Sequence, residues 1–66
     1  MRRLVFEIKK DNEISHMEFI TDRTPGWTIQ QYLRNRSDIV MTLISSNTTD
    51  EKEFSSREIT LNNNEK

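Results

Sequence analysis

The chain has 66 residues, 32% of them hydrophobic and 32% charged, with a formal net charge of −1, one histidine and no cysteine. Folding at this length buries only about 60% of the surface that the unfolded chain exposes, so a single thin-cored domain is expected. Disulfide stapling and a Cys/His zinc site are excluded, which leaves close packing, self-association or a partner protein as the sources of stability.

The distribution of charge narrows the partners. Residues 1–23 carry five Lys/Arg and five Asp/Glu, residues 24–46 two and one, and residues 47–66 three and five. Neutralising several phosphates needs a clustered cationic face, and no segment supplies one. No window approaches the 18 or so apolar residues of a membrane span, and the N-terminus lacks the apolar stretch of a signal peptide, so a protein of the cytoplasm, off the membrane, is expected. The chain has no alanine, one glycine and one proline, but seven isoleucines, six asparagines and four lysines. That usage fits an AT-rich genome, and a bacteriophage source is a natural expectation for so short a chain.

Arg3 to Lys9 alternates, with Leu4, Phe6 and Ile8 on one face, which is the period of a half-buried strand. Lys10-Asp11-Asn12-Glu13 has no apolar residue and two turn formers, so it reads as a hairpin turn. The second strand, Ile14 to Thr21, sends Met17 and Phe19 toward the core, with Ile14 and Ile20 covering edges. Thr24 is placed to cap a helix and Pro25 suits its first position, having no N–H to leave unpaired.

From Trp27 to Ile44, helical stepping puts Ile29, Tyr32, Leu33, Arg36, Val40, Leu43 and Ile44 on one stripe, which predicts one long helix ending near Ser45 or Ser46. A strand is the rival for the second half, because Ile39 to Ile44 is rich in β-branched residues. Phe54 to Leu61 offers a short third strand at the edge of the hairpin. Residues 62–66 have nothing to bury and are expected to be a mobile tail after a single domain of residues 1–61. The expected fold is therefore α+β: a small antiparallel sheet of two to three strands packed on one long helix, in the order ββαβ. The alternative is ββαββ, with Asp38–Ile44 as a strand and the helix shortened to about Thr24–Arg36.

Catalytic chemistry has little to stand on. His16 and Glu18 share a strand face, but no third group completes an acid–base or metal set, and two solvated residues on the outside of a hairpin are the plainer reading. One glycine cannot make a phosphate loop. A non-enzyme without metal or cofactor is the expectation. Trp27 is more telling: on a helix it lies about 160° from the apolar stripe, near Gln31, Arg34 and Asp38, a composition that suits a binding anchor. Equally, a first-turn Trp can fold back over the hairpin end as a cap on the core. Arg36 interrupts the stripe, either snorkelling along the core edge or forming the charged centre of a partner-facing surface. Trp27, Gln31, Arg34, Arg36 and Asp38 are thus the candidate partner-binding residues.

A hairpin followed by a helix carrying Trp27, Gln31 and Tyr32 as W-x-x-x-Q-Y, with apolar Val40, Leu43 and Ile44 further on, resembles the Dmd antitoxins of T-even-type phages. The resemblance implies a small protein that inhibits a host RNase toxin of the RNase LS type, with the helix and the flanking sheet edge plugging the target's cleft. Exclusion points the same way, toward a small inhibitor that binds one host protein. The alternative is a dimeric nucleic-acid-binding regulator using Arg2, Arg3, Lys9, Lys10, Arg34 and Arg36. Val5, Ile14 and Ile20 remain on the sheet face away from the helix, and they suggest a homodimer patch at micromolar concentration.

Overall fold

The computed structural model describes residues 1–60. The order is β1 (Arg2–Lys10), β2 (Glu13–Thr21), α1 (Pro25–Tyr32), β3 (Ile39–Thr48) and β4 (Ser55–Ile59). The four strands form one antiparallel sheet in the order β3-β1-β2-β4. The expected long helix is absent: α1 has 8 residues, the sheet has four strands rather than two to three, and the element order is that of the alternative. The expected tail, residues 62–66, and Leu61 lie outside the described residues.

The hairpin follows from its alternation. β1 and β2 pair without interruption from Arg2↔Thr21 to Lys10↔Glu13, leaving Asp11 and Asn12 as the turn. Asp11 adopts φ 54°, a left-handed value that a short polar side chain tolerates better than most. In that register Leu4, Phe6 and Ile8 share a face with Met17 and Phe19, and Leu4, Phe6 and Ile8 are buried with Met41 as the core. Phe6 and Phe19 meet edge to face at 5.6 Å, a favourable geometry for their ring quadrupoles.

The helix starts as its sequence directs. Thr24 Oγ1 accepts from the Trp27 N–H at 3.1 Å, and Pro25 occupies the first turn. It ends because the apolar stripe has no support beyond Leu33. The Leu33 N–H donates to Ile29 O at 2.9 Å, Leu33 sits at φ −85°, ψ 2°, and the Arg36 N–H then donates to Leu33 O at 3.0 Å in a tighter turn. The polar Asn35-Arg36-Ser37-Asp38 breaks the helix, and Ile39 onward gains more from a ladder along β1 than from a second helical half. Pairing runs from Lys10↔Ile39 to Arg2↔Thr48, with one irregularity where the partners of Val5 and Phe6 jump from Ser45 to Leu43 and leave Ile44 as the extra residue of a bulge.

The error in the helical reading is one of phase. Ile29, Tyr32 and Leu33 do pack on the core, but in strand geometry Met41 turns inward and is buried while Val40 is 62% exposed. The 3-1-3-4 spacing that continued through Val40, Leu43 and Ile44 is a coincidence of two separate elements.

The molecule is a slab of 36 × 34 × 15 Å, as expected for one sheet with a single helix on one side. On the other face Glu18 is buried between two arginines: its Oε1 accepts from Arg57 Nε at 2.9 Å and its Oε2 lies 2.9 Å from Arg3 Nε. The second contact is electrostatic only, since the Arg3 Nε–H makes no directed hydrogen bond. The link from β3 to β4 crosses the end of the sheet past Arg3, which lies 3.8 Å from Glu51.

Strand and helix readings of β3 make opposite demands on neighbouring residues. Met41→Ala is expected to cost about 2–3 kcal/mol in urea unfolding, and Val40→Ala at most about 1 kcal/mol. The reverse order would restore the helical phase.

Candidate functional site

α1 covers the middle of one sheet face but not all of it. Between α1 and the β4 side lies an open groove of about 430 Å³, lined by Phe19, Trp27, Gln31, Tyr32, Arg36 and Phe54, with the small side chains of Thr28, Ser55 and Ser56 between them. Phe19 belongs to β2, Trp27 to Tyr32 to α1, Arg36 to the turn after it, and Phe54 to the residue just before β4. The stretch from β2 to the turn after α1 therefore meets Phe54, which comes from beyond β3.

The floor is an aromatic relay. Phe19 stands edge to face with Tyr32 at 6.1 Å, continuing the Phe6–Phe19 pair of the core out to the surface. The Arg36 guanidinium lies 4.3 Å from the centre of the Tyr32 ring, and its NH1 donates to Tyr32 O at 2.7 Å. Arg36 is thus held over the ring by a cation–π contact and a hydrogen bond together. The rim is Trp27, 43% exposed, and Phe54, 60% exposed. Arg23 lies 5.0 Å from the Trp27 ring and 3.7 Å from Asp22, which sets the charge at that end.

Of the five candidate partner-binding residues, the groove brings together Trp27, Gln31 and Arg36. Arg34 and Asp38 are exposed in the segment between α1 and β3 and do not line it. Arg36 does not interrupt a helical stripe, because the helix has ended at Tyr32. Phe54 was read only as the start of an edge strand, whereas it lies just before β4: one apolar residue among Asp50, Glu51, Lys52, Glu53 and two serines carries no signal of a site, and only the return of β4 beside β2 gives it neighbours.

Val5, Ile14 and Ile20 do not make one exposed patch. Val5 is 9% and Ile20 2% exposed within a single chain, while Ile14 is 54% exposed near the hairpin turn. Val5 and Ile20 lie in register beside Glu18 and Arg3, so the ion cluster and the strand link close over them. His16 keeps no carboxylate partner in Glu18, which is committed to Arg3 and Arg57. Among the described residues no group of three or more His, Cys, Asp or Glu side chains is placed to hold a metal ion, and no helix is long and apolar enough to cross a membrane.

No family model matches the chain, and neither a curated protein nor a solved structure matches it.

If Trp27 and Phe54 form a rim rather than a core cap, truncating them leaves the fold standing. Trp27→Ala and Phe54→Ala are each expected to cost less than about 1 kcal/mol in denaturant unfolding, against about 3 kcal/mol for Phe19→Ala beneath them. A loss at Trp27 as large as that at Phe19 would make it part of the core.

Proposed function

We propose that the protein is a small inhibitor, phage-encoded and acting in the host cytoplasm, that binds one host protein and blocks it by occupying its site. The observation that carries this reading is the groove. Trp27 and Phe54 are large aromatics held out to solvent on either side of an apolar floor, although a thin-cored chain has every reason to bury them. Trp, Tyr and Arg are the residue types that most often dominate binding energy at protein interfaces, and Trp27, Tyr32 and Arg36 converge here.

The groove suits a protruding apolar side chain or loop of the target. Phe19 and Tyr32, set edge to face, supply an apolar floor for it to cover, Trp27 and Phe54 line its sides, and Gln31 and Arg36 offer polar contacts that fix its direction. Arg36 is already ordered by Tyr32, so less side-chain freedom is lost when a partner docks. Occupation by a rigid domain is the whole mechanism, with no chemistry of its own. A host ribonuclease toxin, the target class of the Dmd antitoxins, is one enzyme to which such a plug applies.

Capture from host lysate with the full chain as bait, beside the Trp27→Ala and Phe54→Ala variants, tests the proposal. The expected result is one host protein retained by the wild type, its affinity lowered at least about 10-fold by either substitution and nearly insensitive to salt between about 50 and 200 mM. Retention of nucleic acid alone, lost on nuclease treatment and falling steeply with salt, would overturn it.

A further inference from the structure

The sheet has two edges, and they are built differently. β4 is 5 residues long and carries Arg57 and Glu58. β3 is 10 residues long, Ile-Val-Met-Thr-Leu-Ile-Ser-Ser-Asn-Thr, with no charge, no proline and no glycine. Among the described residues it pairs only with β1, and it holds three of the large exposed hydrophobic side chains: Val40 at 62%, Leu43 at 38% and Ile44 at 47%. An edge that is long, apolar and uncharged is the form that invites another strand, and folded proteins ordinarily shorten, charge or cover it.

We propose that β3 is a homodimer interface, at which two copies pair antiparallel about a two-fold axis and their sheets join into one of eight strands. The absence of charge is what selects a second copy. A two-fold contact sets each residue near the axis against the same or a neighbouring residue of its partner, so a charged strand would meet its own sign, and β3 has nothing to repel. The bulge at Ile44 places the axis within Ile39–Leu43, the regular and apolar part of the strand, and leaves Ser45 to Thr48 toward the ends. In that part Ile39, Met41 and Leu43 lie on the helix side of the sheet and Val40 and Thr42 on the other, so pairing sets apolar against apolar on the helix side and Val40 beside Thr42 on the other.

The contact suits a weak dimer. About an axis at Met41, Ile39 to Leu43 of the two copies pair over about 17 Å, which puts the interface at the small, transient end of the size range. β4 and the groove beside it lie at the opposite edge, so the two grooves of the pair stay open and point away from each other. The dimer therefore does not depend on what the groove binds.

Sedimentation of the full chain over a dilution series tests this, with Val40→Lys and, as a control on an exposed aliphatic side chain of the sheet outside β3, Ile14→Lys. The wild type is expected to dimerise with a dissociation constant on the order of 10 μM, Val40→Lys to weaken it at least about 10-fold, and Ile14→Lys to leave it unchanged. Hydrogen exchange of the wild type supplies a readout that needs no variant to fold: β3 amides should gain protection as concentration rises. A wild type that stays monomeric at about 1 mM overturns the proposal. So does a dimer abolished by Ile14→Lys but not by Val40→Lys, or one whose β3 exchange ignores concentration.

Discussion

β1 is the constraint on which the rest of this structure depends. It is hydrogen-bonded on both sides, and it carries Leu4, Phe6 and Ile8 toward the helix and a buried Val5 the other way. Every other element is placed by reference to it: β2 through a two-residue turn, β3 through a ladder of the same length, and α1 through Ile29, Tyr32 and Leu33 on the apolar stripe that β1 begins. β4 alone has no contact with β1 in the ladder, hanging instead on β2. It is also the shortest and most polar strand, as befits the element farthest from the source of packing.

One helix of 8 residues cannot cover four strands, and the ways in which the chain meets that shortage account for its surface. On the helix side the uncovered strip becomes the groove, where aromatic rings substitute partly for a second helix. On the opposite side the described residues form no second layer, and the ion cluster of Glu18, Arg3 and Arg57 lies on the face that carries Val5 and Ile20, with Glu18 opposite Val5 and Arg3 opposite Ile20 in register. A buried carboxylate shared by two guanidiniums is a costly way to shield apolar residues unless its oxygens are well met, and here one accepts a hydrogen bond from Arg57 at 2.9 Å while the other has only the ion-pair contact with Arg3. At β3, no strand among the described residues pairs with the outer edge.

The hairpin, its turn, the Thr24 cap and the inward set of Leu4, Phe6, Ile8, Met17 and Phe19 were legible in the sequence because each is a local pattern with one physical reading. The span from Asp38 to Ile44 was not, since six apolar or β-branched residues in a row satisfy both periods and only the availability of a free edge on β1 decides between them. β4 was visible as an edge strand, but its partner β2 turned Phe54 from an isolated residue into a groove wall, which no local pattern announces. Trp27, Gln31 and Arg36 were marked for their chemistry and do gather; Arg34 and Asp38 were marked for their helical position and fell away with the helix that defined it.

The ladder between β1 and β3 joins the first strand to one that starts 37 positions after it, through pairs such as Arg2↔Thr48. Closing so long a loop costs chain entropy before any contact repays it, whereas the β1–β2 hairpin closes across two residues. Chain synthesis imposes the same order, because β1, β2 and α1 leave the ribosome before β3 does. Until β3 arrives, the β1 edge of the hairpin, lined by Leu4, Phe6 and Ile8, stays open, and β4 follows β3 in the chain to close the sheet on β2. The kinetic weak point of the protein is then the time during which an uncharged strand is still searching for its own chain.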